Sequence, residues 1–303
     1  MSTLDRPHLL SVPNVSEGTQ EEVIAQIRKA ISADPVALLD EHSDAIHNRT
    51  VFTLAGADAP LVRALTDIAR CAIERIDMAR QQGAHPRIGA LDVAPIVWPK
   101  PALRDSARET ALAVAEQLAS LGLPVFLYGE LASTPERRER AFFRRGGPET
   151  LRQRMLDDEL EPDLGPGWPH ATGGAVLVTA RAPLAAFNVE LKGADRESAE
   201  TIAAGIRESG GGPPGVRAIA IELAPGRMQI STNVHDPGVI TLGHVVERIR
   251  RLSREHGAEP VGAELVGLVP AAALDEYPED VPIAGDDPHR RTIEAHLDSL
   301  EHH

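Results

Sequence analysis

The stretch VALLDEHSDAIHNRTVFTLAG, residues 36–56, predicts a β-hairpin and organises the first hundred residues around it. Its two ends, VALLDEH and TVFTLAG, are rich in the apolar and β-branched residues typical of buried strands. Between them lies the polar segment SDAIHNR, whose Ser, Asp and Asn side chains favour a turn. The hairpin therefore supplies two antiparallel strands on which the neighbouring elements can be placed.

Helical patterns flank this hairpin on both sides. Thr19 and Glu22 have the spacing of a capping box, and apolar residues follow them at helical intervals. Asp58 begins a second amphipathic helix after the hairpin. The strand HLLSVPNV precedes the first helix, and the strand RIGALDVAPIV follows the second. The predicted order of this region is β-α-β-β-α-β.

The same order of elements returns in the second half of the chain. A strand APLAAFNVEL is followed by a helix capped by Asp195, a hairpin around APG, a helix that ends at Gly257 and a last strand EPVGAELVGLV. We therefore predict an α+β protein with two tandem ferredoxin-like (split βαβ) subdomains, whose helices pack on one face of each sheet. The predicted boundaries are 1–181 and 182–299, and LEHH at 300–303 is interpreted as a tag remnant.

A long connection separates the two halves. It is predicted to begin with a helix at about residues 102–121 and the strand PVFLYGE. The charged stretch that follows can hold short helices, because four large apolar residues could pack together there: Phe142, Phe143, Leu151 and Met155. The Pro/Gly-rich segment GPGWPHATGG comes next, and a connection of this length is usually functional or disordered.

The predicted topology gathers polar residues at one end of the first sheet. In a split βαβ unit, the loop after the first strand, the hairpin loop and the loop before the fourth strand share one end of the sheet. Here these loops are PNVSEG, EHSDAIHNR and QGAHPR. The residues expected along this edge are Asn14, Ser16, Glu17, Asp44, His47, Asn48, Arg49, His85 and Arg87.

Composition limits the classes of function. The chain has 303 residues and a formal charge of −14, so binding to nucleic acid is not expected. The N-terminal residues lack a basic start followed by an apolar run, and no run of 18 apolar residues occurs, so we expect no signal peptide and a cytoplasmic protein without a membrane partner. The single cysteine, Cys71, cannot form an internal disulfide and is interpreted as structural. No HExxH motif or cysteine cluster is present, and no metal is expected.

His85 admits two interpretations from the residues alone. In AHPR it can be an ordinary loop histidine, or it can be an acid and base at neutral pH, since an imidazole has an ordinary pKa of about 6.5. Arg49 and Arg87 can bind carboxylates through bidentate hydrogen bonds, or they can form surface ion pairs with the many acidic residues. The residues therefore indicate a polar, arginine-bearing edge with a candidate acid–base histidine, and they name no substrate.

Longer motifs carry a resemblance that goes further. VPNVSEG, NRTVFTLAG, IDMARQQGAHPRIGALDVAPIV, PVFLYGE, PDLGP, AAFNVEL, ISTNV and ELVGLVP occur in this order over roughly residues 9–275. In these motifs the chain resembles the glutamate formiminotransferases, including the transferase domain of formiminotransferase-cyclodeaminase. A cyclodeaminase domain is not expected in this chain.

The resemblance implies an activity and a site. Members of this family transfer the formimino group of N-formiminoglutamate to N5 of tetrahydrofolate, which is the co-substrate, in histidine degradation. They have two α/β subdomains with folate bound between them, and they usually form homodimers. The family's catalytic histidine corresponds to His85. The folate-binding segment corresponds to Gly165, Pro166, Gly167, Trp168, Pro169, His170, Ala171, Thr172, Gly173 and Gly174.

This segment also departs from the family pattern. Gly173 stands where a tryptophan is often found, and Trp168 lies nearby instead. Two alternatives to the formimino donor therefore stay open: a related transferase that uses a formyl donor such as 5-formyltetrahydrofolate, and a folate-binding protein without catalytic activity. The residues expected to contact substrate are Asn14, Ser16, Asp40, Asn48, Arg49, Arg87, Arg181 and Lys192, with Asp40 as a candidate to orient the His85 imidazole.

Overall fold

The computed structural model describes residues 8–32 and 35–301, without the side chain of residue 301. The chain divides into two compact units, Met1–Ala182 and Pro183–His303. Residues 300–303 were interpreted as a tag remnant. The first two of these residues belong to the last helix, which runs to Glu301, and residues 302 and 303 lie outside the described residues.

The first unit contains seven strands and five helices among its described residues. Its strands are β1 (Leu9–Ser11), β2 (Asn14–Val15), β3 (Ala37–Asp44), β4 (Arg49–Gly56), β5 (Leu91–Val97), β6 (Val125–Leu127) and β7 (Val176–Arg181). Its helices are α1 (Glu21–Ile31), α2 (Asp58–Arg75), α3 (Arg104–Ser120), α4 (Arg140–Arg144) and α5 (Gly147–Leu156).

One mixed sheet holds these strands. The predicted hairpin is present as β3 and β4, and β1 and β2 lie between β4 and β5 with antiparallel pairing on both sides. Beyond β5 the sheet continues with β7 and then β6, both in parallel pairing. Helices α1, α2 and α3 contact one another in sequence. Their apolar stripes supply much of the main core together with the sheet, as expected for amphipathic helices on a sheet face.

The second unit has a simpler sheet. Its strands are β8 (Ala185–Lys192), β9 (Val216–Ala224), β10 (Arg227–Val234) and β11 (Glu259–Leu265), and its helices are α6 (Arg196–Ile206), α7 (Leu242–Glu255) and α8 (Ile293–Glu301). The spatial order is β11-β8-β10-β9, and each neighbouring pair is antiparallel. The predicted caps are confirmed for α6, where the Asp195 carboxylate accepts a hydrogen bond from the Ser198 N–H at 2.8 Å.

Several sequence predictions are wrong in detail. The capping box at Thr19 and Glu22 does not form: α1 begins after Gln20, and the Glu17 carboxylate accepts the N–H groups of Thr19 and Gln20 instead. The strand AVLVTAR, now β7, was not predicted, because an apolar run after a Pro/Gly-rich segment gives no indication of a parallel partner. The fourth predicted strand of the first unit begins only at Leu91.

The prediction of short helices in the charged connection is confirmed. Helices α4 and α5 pack their apolar residues against β5, β6 and β7 residues in a separate small core. Phe143 is fully buried there, and its ring lies 5.1 Å from that of Phe126, centroid to centroid. The charged residues of this stretch therefore have a fixed scaffold.

Candidate active site

Three loops of the first unit meet at one end of its sheet, as the topology predicts. The Asn48 side chain connects them: its Oδ1 accepts the Gly18 N–H at 2.9 Å, and its Nδ2 donates to Gln81 Oε1 and to the Gln82 carbonyl, both at 2.7 Å. Asn48 has a φ of 47°, in the left-handed region that Asn tolerates better than most residues. This turn is therefore fixed by its side chain and its backbone together.

Arg87 fixes the loop that carries His85. Its guanidinium donates to the carbonyls of His47 at 2.7 Å, Asn48 at 3.1 Å and His85 at 3.2 Å. The side chain is buried, and Gly83 leaves it space, since a Cβ at residue 83 would lie 2.1 Å from Arg87 Nη2. Arg87 therefore donates three of its N–H groups to backbone carbonyls. These hydrogen bonds fix the loops and differ from the predicted clamp on a substrate carboxylate.

His85 lies partly buried in a positively charged setting. Burial lowers the pKa of His85 well below its ordinary value, and the charges of Arg49, Arg144 and Arg140 lower it further. Within the described residues, neither ring nitrogen of His85 has a hydrogen-bond partner in the protein. The imidazole is therefore neutral at neutral pH and can accept a proton from a bound molecule.

An arginine cluster (Arg49, Arg140, Arg144) surrounds this imidazole. Burial, followed by the charges of Arg144 and Arg140, lowers the pKa of Arg49 to about 10, so Arg49 keeps its positive charge at neutral pH. The Nε atoms of Arg49 and Arg144 are buried and have no hydrogen-bond partner among the described residues. Buried donors without partners are costly and uncommon in folded proteins, and these two N–H groups are able to bind an anion.

Asp92 balances part of this charge. It is buried, one carboxylate oxygen accepts the Ile88 N–H at 2.7 Å, and the other accepts a hydrogen bond from Arg144 Nη2. Arg144 and Arg140 were missed at the level of sequence. The sequence did contain a signal for them, since they are four residues apart in the segment RERAFFRR. This spacing places both on one side of a short helix, in which Phe143 is buried.

The hairpin turn contributes a second histidine. His47 Nδ1 lies 2.5 Å from Asp44 Oδ2, and Asp44 Oδ1 accepts the His47 backbone N–H at 2.9 Å. Burial raises the pKa of Asp44, but the hydrogen bonds from His47 outweigh this effect and lower it to about 2. The rings of His47 and His85 are tilted by 57° with their centroids 6.2 Å apart. The sequence placed His47 on this edge without giving it a role.

The predicted folate segment is joined to the His85 loop by backbone pairing. Gly89 and Gly174 form an antiparallel bridge, the Ala175 N–H donates to the Ile88 carbonyl at 3.0 Å, and the Ala90 N–H donates to the Gly173 carbonyl at 2.9 Å. Gly174 has a φ of 68°, and a Cβ there would lie 2.3 Å from the Ile88 carbonyl oxygen. Glycine is therefore required where the two segments approach.

The rest of this segment folds over the ends of two helices. His170 and Gly174 pair through two backbone hydrogen bonds, and His170 Nδ1 accepts the Gly173 N–H at 3.0 Å. A Cβ on Gly173 would lie 2.5 Å from Ile73 Cγ2, which leaves no space for a tryptophan at this position. Trp168 is 64% exposed and offers a flat apolar surface instead. Gly165, Pro166, Gly167, Pro169, Ala171 and Thr172 complete the loop.

The other predicted contacts are less close to His85. Asn14 donates to the Val12 carbonyl, and Ser16 Oγ donates to the Gly89 carbonyl at 2.7 Å, so Ser16 supports the His85 loop from behind. Asp40 on β3 lies opposite Thr53 on β4. The hydrogen bond of Ser16 therefore supports the loop that carries His85, and the role of Asp40 stays a prediction.

The two remaining cations differ in setting. Arg181 is the last residue of β7, at the opposite end of that strand from Gly174. Burial lowers the pKa of Arg181 to about 10; Tyr128 opposes this effect, and the charge of Arg140 adds to it. Lys192 lies in the second unit, is largely exposed and lies 3.4 Å from Glu259. Arg181 is therefore an extension of the arginine cluster, whereas Lys192 is held in a surface ion pair.

The geometry thus combines a neutral imidazole, partly buried arginines with unpartnered N–H groups and a glycine-rich loop joined to the loop that carries His85. Such a combination can bind an anion and accept a proton beside it.

Comparison with known proteins identifies the family. The formiminotransferase domain, N-terminal subdomain, matches residues 8–181, and the formiminotransferase domain matches residues 186–278. The chain belongs to the formiminotransferase family. It is 38% identical to glutamate formimidoyltransferase of Streptococcus pyogenes serotype M1 over 94% of this chain and 97% of that protein.

Two further relatives extend this likeness. The chain is 36% identical to glutamate formimidoyltransferase of Thermoplasma acidophilum, covering 87% of this chain and 88% of the relative. It is 40% identical to formimidoyltransferase-cyclodeaminase of Sus scrofa over 87% of this chain and 50% of the relative, so it spans about half the length of that protein. Among the helices of residues 8–32 and 35–301, none has the length and apolar character needed to cross a bilayer.

Proposed function

We propose that this chain is a one-carbon transferase that moves the formimino group of N-formimino-L-glutamate to N5 of tetrahydrofolate, giving 5-formiminotetrahydrofolate and glutamate. Family membership and the two glutamate formimidoyltransferase relatives support the activity. The observation that carries the assignment of the site is the neutral His85 imidazole beside buried arginines that have unpartnered N–H groups.

The arginine cluster is the proposed anchor for the substrate carboxylates. N-formiminoglutamate carries two carboxylates, and a guanidinium offers a fixed fork of donors that matches a carboxylate. Arg49 Nε and Arg144 Nε lack partners in the described protein, and a carboxylate would satisfy both. The overall negative charge of the chain makes such a local positive site selective, because anions are attracted only where arginines are concentrated.

The segment Gly165–Gly174 is the proposed folate contact. Its backbone pairing with Gly89 and Ala90 couples the position of a bound folate to the loop that carries His85. Trp168 gives the loop an exposed aromatic surface on which a pterin ring can stack. Together these features support the binding of two substrates on either side of one imidazole. Holding both substrates in place supplies the largest part of the rate enhancement by proximity.

His85 is the proposed base and acid. Nitrogen N5 attacks the formimino carbon and forms a tetrahedral intermediate, and His85 takes the proton that N5 loses. The same imidazole then returns the proton to the glutamate nitrogen, whose bond to carbon breaks, so the net proton count is unchanged. General acid–base catalysis of this kind contributes about 10²- to 10⁴-fold.

A donor comparison tests this function against its two rivals. The purified chain is incubated with tetrahydrofolate and formiminoglutamate, and the methenyl product is measured by its absorbance after acid treatment. In a second reaction it is incubated with 5-formyltetrahydrofolate and glutamate, and the product N-formylglutamate is measured by chromatography, because 5-formyltetrahydrofolate itself gives the methenyl compound in acid. Product from formiminoglutamate supports the proposal. Product only from the formyl donor identifies the related transferase, and folate binding without product from either donor identifies a binding protein.

The finer features of the fold and assembly belong to the same proposal. The order β11-β8-β10-β9 supports a ferredoxin-like second subdomain, and the matched ranges support subdomains at 1–181 and 182–299. We expect a cytoplasmic homodimer, measurable by light scattering after size-exclusion chromatography, with no nucleic-acid or membrane partner. The proposed chemistry needs only proton transfer, so dialysis against EDTA should leave turnover unchanged.

A further inference from the structure

The strongest unassigned feature of the first unit is the pair formed by Asp44 and His47 in the hairpin turn. The carboxylate contacts His47 twice, through the ring Nδ1 and through the backbone N–H. It also accepts the Ile46 N–H at 2.8 Å, so it is fixed in place by the turn it stabilises. The His47 ring is therefore held in one orientation, with only 1% of its side chain exposed.

This orientation determines which nitrogen is available. With Nδ1 donating to Asp44, the neutral ring has its lone pair on Nε2. His47 Nε2 is buried and has no partner among the described residues. Its neighbour is the ring of His85, at a centroid distance of 6.2 Å. A buried nitrogen without a partner beside a proposed base is an unusual arrangement, because buried polar atoms are normally satisfied.

The charges around His85 disfavour a proton on its ring, and the pair of Asp44 and His47 offers a second place for that proton. Arg49 on β4 and Arg140 and Arg144 on α4 disfavour the protonated form of His85. The proposed reaction nevertheless requires that a proton be kept from the attack of N5 until the glutamate nitrogen leaves. The Asp44 carboxylate is fixed against the His47 ring, with Oδ2 2.5 Å from Nδ1. Within the first unit, His42 on β3 and Arg87, which holds the His47 carbonyl, are further charged or titratable groups near the pair.

We propose that His47, held by Asp44, is a positioning residue that acts through His85 and holds the transferred proton between the two halves of the reaction. The proton leaves N5 for His85, passes to His47 Nε2, returns to His85 and goes to the departing amine, so no proton is gained or lost. The His47 side chain is only 1% exposed, so the proposal gives it no contact with substrate. This role rests on the proposed function, because it requires a proton-transfer reaction at His85.

The decisive variant is His47→Asn, whose side-chain N–H can keep the bond to Asp44 while removing the Nε2 position. We expect kcat to fall about tenfold to a hundredfold, as a part of the 10²- to 10⁴-fold of acid–base catalysis, with KM for both substrates within about twofold. Asp44→Asn should lower kcat in the same way, with KM again within about twofold.

His8→Asn is the matched control. His8 also has a buried ring nitrogen without a partner, but it precedes β1, which pairs with the end of β4 distant from the hairpin. This variant should keep the wild-type kcat and pH profile. Thermal unfolding of each variant separates a loss of folding from a loss of the proton relay, and His47→Gln replaces His47→Asn if the latter does not fold.

Four outcomes are informative. A fall in kcat with unchanged KM and melting temperature supports the inference. Wild-type kcat and pH profile in His47→Asn overturn it while leaving the proposed function intact. Parallel changes in kcat, KM and melting temperature also overturn it, since they show a merely structural role. Absence of transfer by the wild-type chain would instead refute the proposed function.

Discussion

Arg49 and Arg227 occupy equivalent places in the two units, because each begins the strand that follows the hairpin turn of its sheet. Arg227 is exposed and donates two hydrogen bonds of 2.9 Å to Glu190, which raise its pKa. Arg49 is partly buried near Arg140 and Arg144, and its buried Nε has no partner among the described residues. Similar strand orders thus carry a satisfied surface ion pair in one unit and an arginine with an unpartnered donor in the other.

The turns themselves show the same difference. In the second unit the turn is short, and it is closed by Gly226, which has a φ of 79° and at which a Cβ would have no atom within 4 Å. In the first unit the turn contains Asp44, His47 and Asn48, whose side chains bind neighbouring loops and each other. The lesson is that a repeated fold does not repeat its chemistry, which lies in the turn residues placed on the scaffold.

The largest expected effect on KM comes from removing the cation at Arg49. Arg49→Met should raise KM for formiminoglutamate by about tenfold to a hundredfold, because a charge-assisted hydrogen bond contributes about 1.5–3 kcal/mol. Arg227→Met, the matched control, should leave KM within about twofold, since an exposed ion pair contributes little. Steady-state kinetics with varied formiminoglutamate measures both. Equal effects of the two substitutions would remove the proposed distinction between the units.

A second prediction concerns the loop that has no counterpart in the second unit. Gly173→Ala should destabilise the chain by about 1–3 kcal/mol, because the new Cβ meets Ile73 and overpacks the site. Gly167→Ala, in the same loop, should be close to neutral, since no atom lies within 4 Å of a Cβ there. Urea unfolding and folate titration measure both variants. A Gly173→Ala protein with wild-type stability would show that this loop relaxes readily.

A third and smaller effect is a shift in pH dependence. His85 is active as a neutral base, so activity is lost when the pH falls through its pKa, which lies below the ordinary value because of burial and the neighbouring arginines. Arg144→Met removes one positive charge, raises this pKa and should move the acidic limb of kcat/KM to higher pH. Arg227→Met should leave the limb unchanged. An acidic limb that is identical in all three proteins would show that His85 does not produce it.

The sequence predicted the parts of this site that depend on local pattern and topology. The hairpin at residues 36–56 and the loop before β5 follow from apolar runs and turn residues, and their meeting at one edge follows from strand order. The motif resemblance singled out His85. The arginines of α4 were missed because their contact with Asp92 joins residues 52 apart in the chain, and no local pattern encodes that pairing.

Arg87 illustrates the opposite limit. Its residue type and position predicted a carboxylate clamp, yet its donors are taken by carbonyls of the hairpin, which only the folded structure brings within reach. Gly173 shows a similar dependence on packing, since the absence of a side chain there is explained by Ile73 and Leu123, both distant in sequence. Contacts between distant segments, rather than residue type, therefore decide which polar groups remain available to a substrate.

The most direct test of the central claim is a paired measurement on His85→Ala. Transfer from formiminoglutamate to tetrahydrofolate is followed by methenyl absorbance, and folate binding is followed by the fluorescence of Trp168 in a background in which Trp98, the other tryptophan, is replaced by Phe. The proposed role of His85 predicts that turnover falls by about 10²- to 10⁴-fold while folate binds with nearly unchanged affinity. Near-normal turnover in this variant would contradict the assignment of His85 as the proton-transferring residue.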